Sequence, residues 1–362
     1  MSAEERLNAL RAEIDDIDAR ILDLINRRLH CAREIGDLKS RMGAKILDVS
    51  REKRIFERLK ALNQGMLHTE VLHHVFTEII AACREIQGPV TVGYLGPEGT
   101  FSHVAAIRQF GHMAQLVPLS SIPDVFDRVE KGAVGYGVVP VENSVEGPVH
   151  VTLDLLLETS LNILAEIYLD ISHDLWAKGG GLSDIRTVYS HPQALAQCRK
   201  WLATNVPQAA LVACDSTASA AALAAEQENT AAISGREAAE KHGLIALAEK
   251  IEDSGRNTTR FLVVGKDASK PSGADKTSLV FATAHVPGAL YRVLEPLNAL
   301  SINMVKLESR PARTANWTYH FFVDIEGHLM DPTIQTVVNE MKKRTMFVRW
   351  LGSYPKAVGD VR

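Results

Sequence analysis

Arg28 stands where the apolar spacing asks for a leucine. Leu7, Leu10, Ile14, Ile17, Ile21 and Leu24 recur at intervals of three and four, and Cys31, Ile35 and Leu38 continue the series. That spacing is the seam of a long packed helix, with a cation at the position after Leu24. A buried charge is costly unless a partner or a ligand neutralises it. Lys39 lies about three turns further on, roughly 16 Å along the axis and on nearly the same face. Two long cations so placed can converge on one small anion. Arg11 lies almost five turns before Arg28, roughly 25 Å away, too far to share that anion within one straight helix. A ligand-binding Arg11 would therefore serve a neighbouring chain's site, which makes a helical dimer with cationic pockets the expected assembly. The alternative is an Arg28 that snorkels to solvent or meets a glutamate.

The same region holds Asp48, Arg51, Glu52 and Gln87. Singly, Asp48 reads as a helix cap and Glu52 as an acid that compensates the helix dipole. Together with the cations, one acid and one amide suit a dianion that carries a hydroxyl. Five polar clusters follow further on: GPEGTFS (96–102), VPVENSVEG (139–147), SHPQALAQC (190–198), DSTASAA (215–221) and NTTRF (257–261). Each alone reads as a turn, a cap or a surface segment. PGAL (287–290) and ESRP (308–311) come last. Gly288 at a helix start would let a ligand approach backbone N–H groups; the plain alternative is a strand–helix turn, with Glu308 and Arg310 as a surface pair.

Three regions must position these groups. Residues 1–88 contain no proline and read as three helices: one to about Met42, one over about Val49 to Asn63, one over about Thr69 to Ile86. Such elongated helices form a poor core alone and need a partner. After Gly88-Pro89 the pattern becomes α/β, over about 90–265. Strands are expected at Val90 to Leu95, Gly135 to Val141, Thr187 to Ser190 and Phe261 to Val264, with ligand groups at strand ends and a helix from about His103. A Ser/Pro/Gly linker precedes a last region, 276–356, whose order βαββαβ suggests a small α+β ferredoxin-like module.

With 362 residues, 46% hydrophobic, 23% charged and a net charge of −4, the chain is ordinary for a soluble multidomain protein. It shows no basic block for nucleic acid, no apolar run long enough to cross a bilayer and no apolar leader at MSAEERLNALR. Cys31, Cys83, Cys198 and Cys214 lie far apart and read as reduced thiols, so a cytoplasmic protein without a metal or other cofactor is expected. GPEGTFS has the wrong spacing for a phosphate-binding glycine loop.

LNALRAEIDDIDARILDLINRR (7–28), GDLK (36–39) and DVSRE (48–52) resemble the all-helical chorismate mutases, which are intertwined dimers. The resemblance implies that Arg28 and a partner chain's Arg11 bind the two carboxylates of chorismate. It also implies Lys39 and Gln87 on the ether oxygen, Glu52 on the ring hydroxyl, and Asp48 and Arg51 shaping the pocket. Cys83 is a departure, because that family often has a carboxylate-binding serine there and a thiol is a weak donor. The five α/β clusters together resemble prephenate dehydratase across 91–265, a two-lobed fold like a periplasmic binding protein with its site in the cleft. That resemblance implies a catalytic Thr259, support from Asn143, Gln197, Glu142 and Asp215, and substrate contacts from Thr100, Ser102, Ser190 and Arg260.

PGAL, ESRP and WTYHFFVDIEGH (317–328) are similar to the ACT regulatory domain of those dehydratases. This implies phenylalanine binding between two such domains near Gly288, Ala289, Leu290, Glu308, Ser309 and Arg310. The whole chain resembles the bifunctional P-protein family: chorismate to prephenate, then prephenate to phenylpyruvate, in a homodimer or larger homo-oligomer. Two other readings stay open: a prephenate or arogenate dehydratase with a regulatory helical arm, and a phenylalanine-sensing binding protein.

Overall fold

The computed structural model describes residues 2–253, 255, 257–311 and 319–357. Trp317 and Thr318 of the WTYHFFVDIEGH segment therefore lie outside the described residues. Contacts divide the chain into two compact units. One comprises Met1–Asp48, Ile55–Val90 and Phe110–Gln115; the other comprises Val49–Arg54, Thr91–Gln109 and Leu116–Arg362.

The smaller unit is built on α1 (Ala3–Arg41), most of α2 (Val49–Leu62), and α3 (Thr69–Glu85). Ser2 caps α1, accepting from the Glu5 amide while the Glu5 carboxylate takes the Ser2 amide. The face of α1 that packs within the chain differs from the seam expected of it. Ala32 and Gly36 are buried beside α3, while Leu7, Leu10, Ile14, Ile17, Ile21 and Leu24 stay 40–59% exposed. Cys31, Ile35 and Leu38 are exposed too. Small residues let α1 approach α3 closely, and that leaves the long apolar stripe uncovered in a single chain.

In the larger unit, the first turns of α2 are tied to the segment between the α/β and C-terminal sheets. Ser50 donates to the Lys270 carbonyl, Arg54 to that of Pro271 at 3.0 Å, and Lys53 to those of Ala274 and Lys356 at 3.0 and 2.7 Å.

The α/β part opens with β1 (Thr91–Leu95), α4 (Phe101–Phe110), β2 (Gln115–Leu119), α5 (Ile122–Glu130), β3 (Tyr136–Asn143), β4 (Gly147–Pro148), α6 (His150–Glu158) and β5 (Asn162–Asp170). The helix expected from His103 starts two residues earlier, so Ser102 sits in its first turn. The chain then crosses to β6 (Asp174–Ala177), β7 (Thr187–Ser190), α7 (Pro192–Gln197), α8 (Arg199–Asn205), β8 (Ala210–Ala213), α9 (Thr217–Glu226), β9 (Thr230–Ser234), α10 (Arg236–Lys241) and β10 (Ile245–Ala248). It returns as β11 (Thr258–Gly265). Two sheets result, ordered β2-β1-β3-β11-β5 (with β4 on β3) and β10-β6-β9-β7-β8. Each centres a lobe, and the chain passes from one to the other after β5 and back after β10.

The last part runs β12 (Asp275–Ala282), α11 (Ala289–Ala299), β13 (Met304–Pro311), β14 (Tyr319–Glu326), α12 (Pro332–Lys342) and β15 (Phe347–Pro355). Its sheet is antiparallel in the order β13-β14-β12-β15, with both helices packed on one face. The other face shares a core with the first lobe, joining Val280, Phe322, Leu351 and Tyr354 to Val139, Leu262 and Val264. A Cβ at Gly352 would lie 2.3 Å from the Ile163 carbonyl oxygen, so only glycine permits β15 to approach β5 this closely.

Candidate active sites

A cleft of about 950 Å³ opens between the two lobes. The first lobe contributes Thr100, Ser102, Asn143 and Thr259, the second His191, Gln197 and Asp215, and the two crossings His173 and Asn257. Strand register brings the central pair together. Thr259 on β11 stands opposite Asn143 on β3, and the Asn143 amide donates to the Thr259 hydroxyl at 2.8 Å. The same amide nitrogen donates to Asn257 Oδ1 at 2.6 Å, and Asn257 donates to Gln197 Oε1 at 2.9 Å. His173 Nε2 meets that Gln197 oxygen at 2.8 Å, which puts the proton on Nε2. Burial holds the His173 imidazole below the usual histidine range and keeps it neutral. Two buried polar atoms of this network, His173 Nδ1 and Gln197 Nε2, have no partner among the described residues. The network therefore retains unused hydrogen-bonding capacity.

Three residues expected in this cleft are elsewhere. Strand side chains alternate, so the neighbours of Thr259 and Asn143 leave by the opposite face. Arg260 is buried and bonds Glu166, Asp324 and Tyr354. Glu142 pairs with Lys306 at 2.6 Å. Ser190 is fully buried and donates to the Ile233 carbonyl at 2.7 Å, tying β7 to β9. Thr100 does line the cleft, but its hydroxyl braces its own turn through the Leu95 and Pro97 carbonyls. Gly99 in that turn has φ +86°, and a Cβ there would lie 2.8 Å from Ala238 Cβ, so the loop passes directly against α10 of the second lobe. Sequence reading missed His173 and Asn257. Asn257 lies inside NTTRF and was within reach of it; a lone histidine between two strands carries no such signal.

The helical unit arranges a second set. Arg28 Nη1 reaches the Cys83 sulfur and lies 3.4 Å from the Ile79 carbonyl. Burial pushes the Cys83 thiol up, so it stays neutral beside the guanidinium. Gln87 donates to the Cys83 carbonyl at 2.8 Å, while its buried Oε1 has no partner among the described residues. Lys39 donates to the Ile46 carbonyl at 2.8 Å. Gly36 makes room for the amide: a Cβ there would lie 2.8 Å from Gln87 Cγ. Asp48 is half-buried just before α2 and Arg11 is exposed on α1. In the larger unit, Arg51 is exposed and Glu52 half-buried on the first turn of α2.

In the C-terminal part, Gly288, Ala289 and Leu290 line a cavity of about 230 Å³ with Tyr291, Tyr319 and Phe321. Glu308, Ser309 and Arg310 do not line it. Ser309 stands opposite Phe321, whereas alternation turns Glu308 and Arg310 to the face that meets the first lobe, where Arg310 pairs with Asp154. Among the described residues there is no cluster of three or more His, Cys, Asp or Glu suited to a metal, and no helix long and apolar enough to cross a membrane.

The sequence-family model for chorismate mutase type II matches residues 10–88, and that for prephenate dehydratase matches 92–269. A bifunctional chorismate mutase/prephenate dehydratase of Aquifex aeolicus is 44% identical over 98% of this chain and 99% of its own length. A prephenate dehydratase of Arthrobacter aurescens, solved in complex with L-Phe, is 35% identical with a TM-score of 0.67, over 74% of this chain and 90% of that one. A quorum quenching acylase has the same TM-score at 28% identity, over 74% of this chain and 98% of its own. The α/β and C-terminal fold thus supports more than one named chemistry, and full-length similarity decides the assignment. The chain belongs to the bifunctional chorismate mutase/prephenate dehydratase family.

Proposed function

We propose that the chain converts chorismate to prephenate in its helical part and prephenate to phenylpyruvate in the cleft, under feedback by phenylalanine. The organisation is a mutase over 1–88, a dehydratase over 90–265 and an ACT module over 276–356. The Asn143–Thr259 pair in the cleft carries this reading. Because the Thr259 oxygen accepts from Asn143, its own hydrogen remains for a ligand. The dehydration expels hydroxide, a poor leaving group, together with carbon dioxide. Thr259 is the donor that hydrogen-bonds the departing oxygen. A threonine hydroxyl is a weak acid, so catalysis relies on positioning and on the driving force of aromatisation. Gln197 and Asn143 orient the substrate, with Thr100, Ser102 and Asp215 around it.

The mutase step is a Claisen rearrangement and needs neither nucleophile nor proton transfer. It needs a compact conformer and donors aimed at the ether oxygen as that oxygen gains charge. Lys39 and Gln87 supply the donors, Arg28 and a partner chain's Arg11 hold the carboxylates, and Glu52 takes the hydroxyl, with Asp48, Arg51 and Cys83 around them. The uncovered stripe on α1 supports a homodimer, since burying half-exposed leucines and isoleucines gains roughly 1 kcal/mol each. Phenylalanine fits the small cavity at Gly288, Ala289 and Leu290, at the junction of two ACT modules. A cytoplasmic location suits the four thiols, none of which is in a disulfide.

The test is to supply purified protein with chorismate and follow prephenate and phenylpyruvate over time, with and without phenylalanine. Transient prephenate followed by phenylpyruvate, slowed by phenylalanine, is expected. Prephenate without phenylpyruvate would remove the dehydratase assignment, and no consumption of chorismate would remove the mutase.

A further inference from the structure

Glu142 and Arg260 belong to the polar clusters of the dehydratase, yet neither enters the cleft. They are paired across β3 and β11, one step from the Asn143–Thr259 pair on the same two strands. On the C-terminal sheet, Lys306 and Asp324 are paired in the same way across β13 and β14. The two pairs face each other. Lys306 Nζ lies 2.6 Å from Glu142, and Arg260 Nη1 lies 2.7 Å from Asp324. Charge alternates around the resulting square, so each corner attracts both neighbours. Arg260 and Asp324 are buried, and further bonds from Glu166, Tyr354 and Ser278 fix them. Glu142 forms the open corner, 36% exposed.

We propose that Glu142, Arg260, Lys306 and Asp324 are positioning residues for dehydration: the square sets the separation of Asn143 and Thr259, and the C-terminal unit controls the reaction through it. The control half rests on the reading that this unit binds phenylalanine. Backbone connectivity transmits the effect in two short steps. Phe321 lines the effector cavity and Asp324 lies three residues along the same strand, roughly 10 Å away. Asp324 holds Arg260, and Arg260 adjoins Thr259. Lys306 lies on the edge strand β13, whose neighbour in the sheet is β14. A shift there pulls on Glu142 and hence on Asn143. The arrangement also explains a motif that carries two charged residues next to two catalytic ones while the charges never touch the cleft.

Lys306→Met, Glu142→Gln and the double variant, made in the full-length chain, test this. Lys306→Arg serves as the conservative rescue. Mutase turnover of each variant confirms folding, and phenylalanine binding is followed by calorimetry. Each neutral variant should lower the dehydratase kcat roughly ten- to hundredfold, with KM for prephenate within about threefold. The double variant should be no worse than the poorer single, because both break one contact, and Lys306→Arg should restore most of kcat. Phenylalanine should still bind the neutral variants but inhibit them several-fold less than the parent. Unchanged kcat, or a rise in KM alone for Glu142→Gln, would overturn the positioning role and return Glu142 to substrate binding. Full inhibition of Lys306→Met, or loss of its phenylalanine binding, would overturn the control half. If phenylalanine fails to bind the parent protein, the reading of the module fails, and the kcat results still decide the square.

Discussion

Asn143 and Thr259 face each other in register across β3 and β11, and the asparagine amide donates to the threonine hydroxyl at 2.8 Å. One side chain therefore holds the hydroxyl oxygen, in a bond that does not use the hydroxyl hydrogen. Asn143 also anchors the loop behind it, since its carbonyl oxygen accepts from the amides of Val145 and Glu146 at 3.0 and 3.1 Å.

Asn143→Ala should lower the dehydratase kcat by about a hundredfold, the scale of losing one preorganised donor. Combined with Thr259→Val it should add little, because the two groups act as a unit. Steady-state rates on supplied prephenate give the comparison. Multiplicative losses would mean that the two act independently.

How far the sequence leads depends on what kind of signal each residue leaves. The strand–helix alternation and the βαββαβ order are legible because period and punctuation carry them. The packed face of α1 is not, because Ala32 and Gly36 contribute almost no apolar signal beside the leucine stripe. Arg260 and Glu142 are drawn towards the cleft when a motif is read as a block; strand alternation sends them to the other face. His173 depends on residues distant in sequence, Gln197 and Asn257, which only the fold brings together.

Gly36→Ala should damage the mutase alone. The added methyl would meet Gln87 at 2.8 Å and push the amide out of place. About a tenfold fall in mutase turnover is expected, with dehydration of supplied prephenate unchanged. Full mutase activity in this variant would remove Gln87 from the reacting centre.

His173 gives a pH signature. Burial depresses its pKa, against opposing effects of its Gln197 hydrogen bond, Glu252 and Asp174. The folded state therefore refuses a proton that the unfolded chain accepts near pH 6.5. The stabilisation is complete above that pH and declines as pH falls towards the folded value. Melting temperature should drop over this acidic window in the parent protein and drop less steeply in His173→Gln. Identical slopes would show that the imidazole does not stay neutral.

Arg11→Ala and Arg28→Ala chains should each fail as mutases. Mixed into one dimer they should recover activity, because one of two sites then holds both arginines. A verified heterodimer without activity would confine each site to a single chain.

On the proposed function, one chain houses two separate reactions, with Lys39 essential to one and Thr259 to the other. Progress curves from chorismate, recorded for Lys39→Ala, for Thr259→Val and for their mixture, test it most directly. Lys39→Ala should leave chorismate nearly untouched yet dehydrate added prephenate normally. Thr259→Val should stop at prephenate, and the mixture should make phenylpyruvate. Loss of both activities in either single variant, or normal phenylpyruvate production by Thr259→Val, would contradict the account.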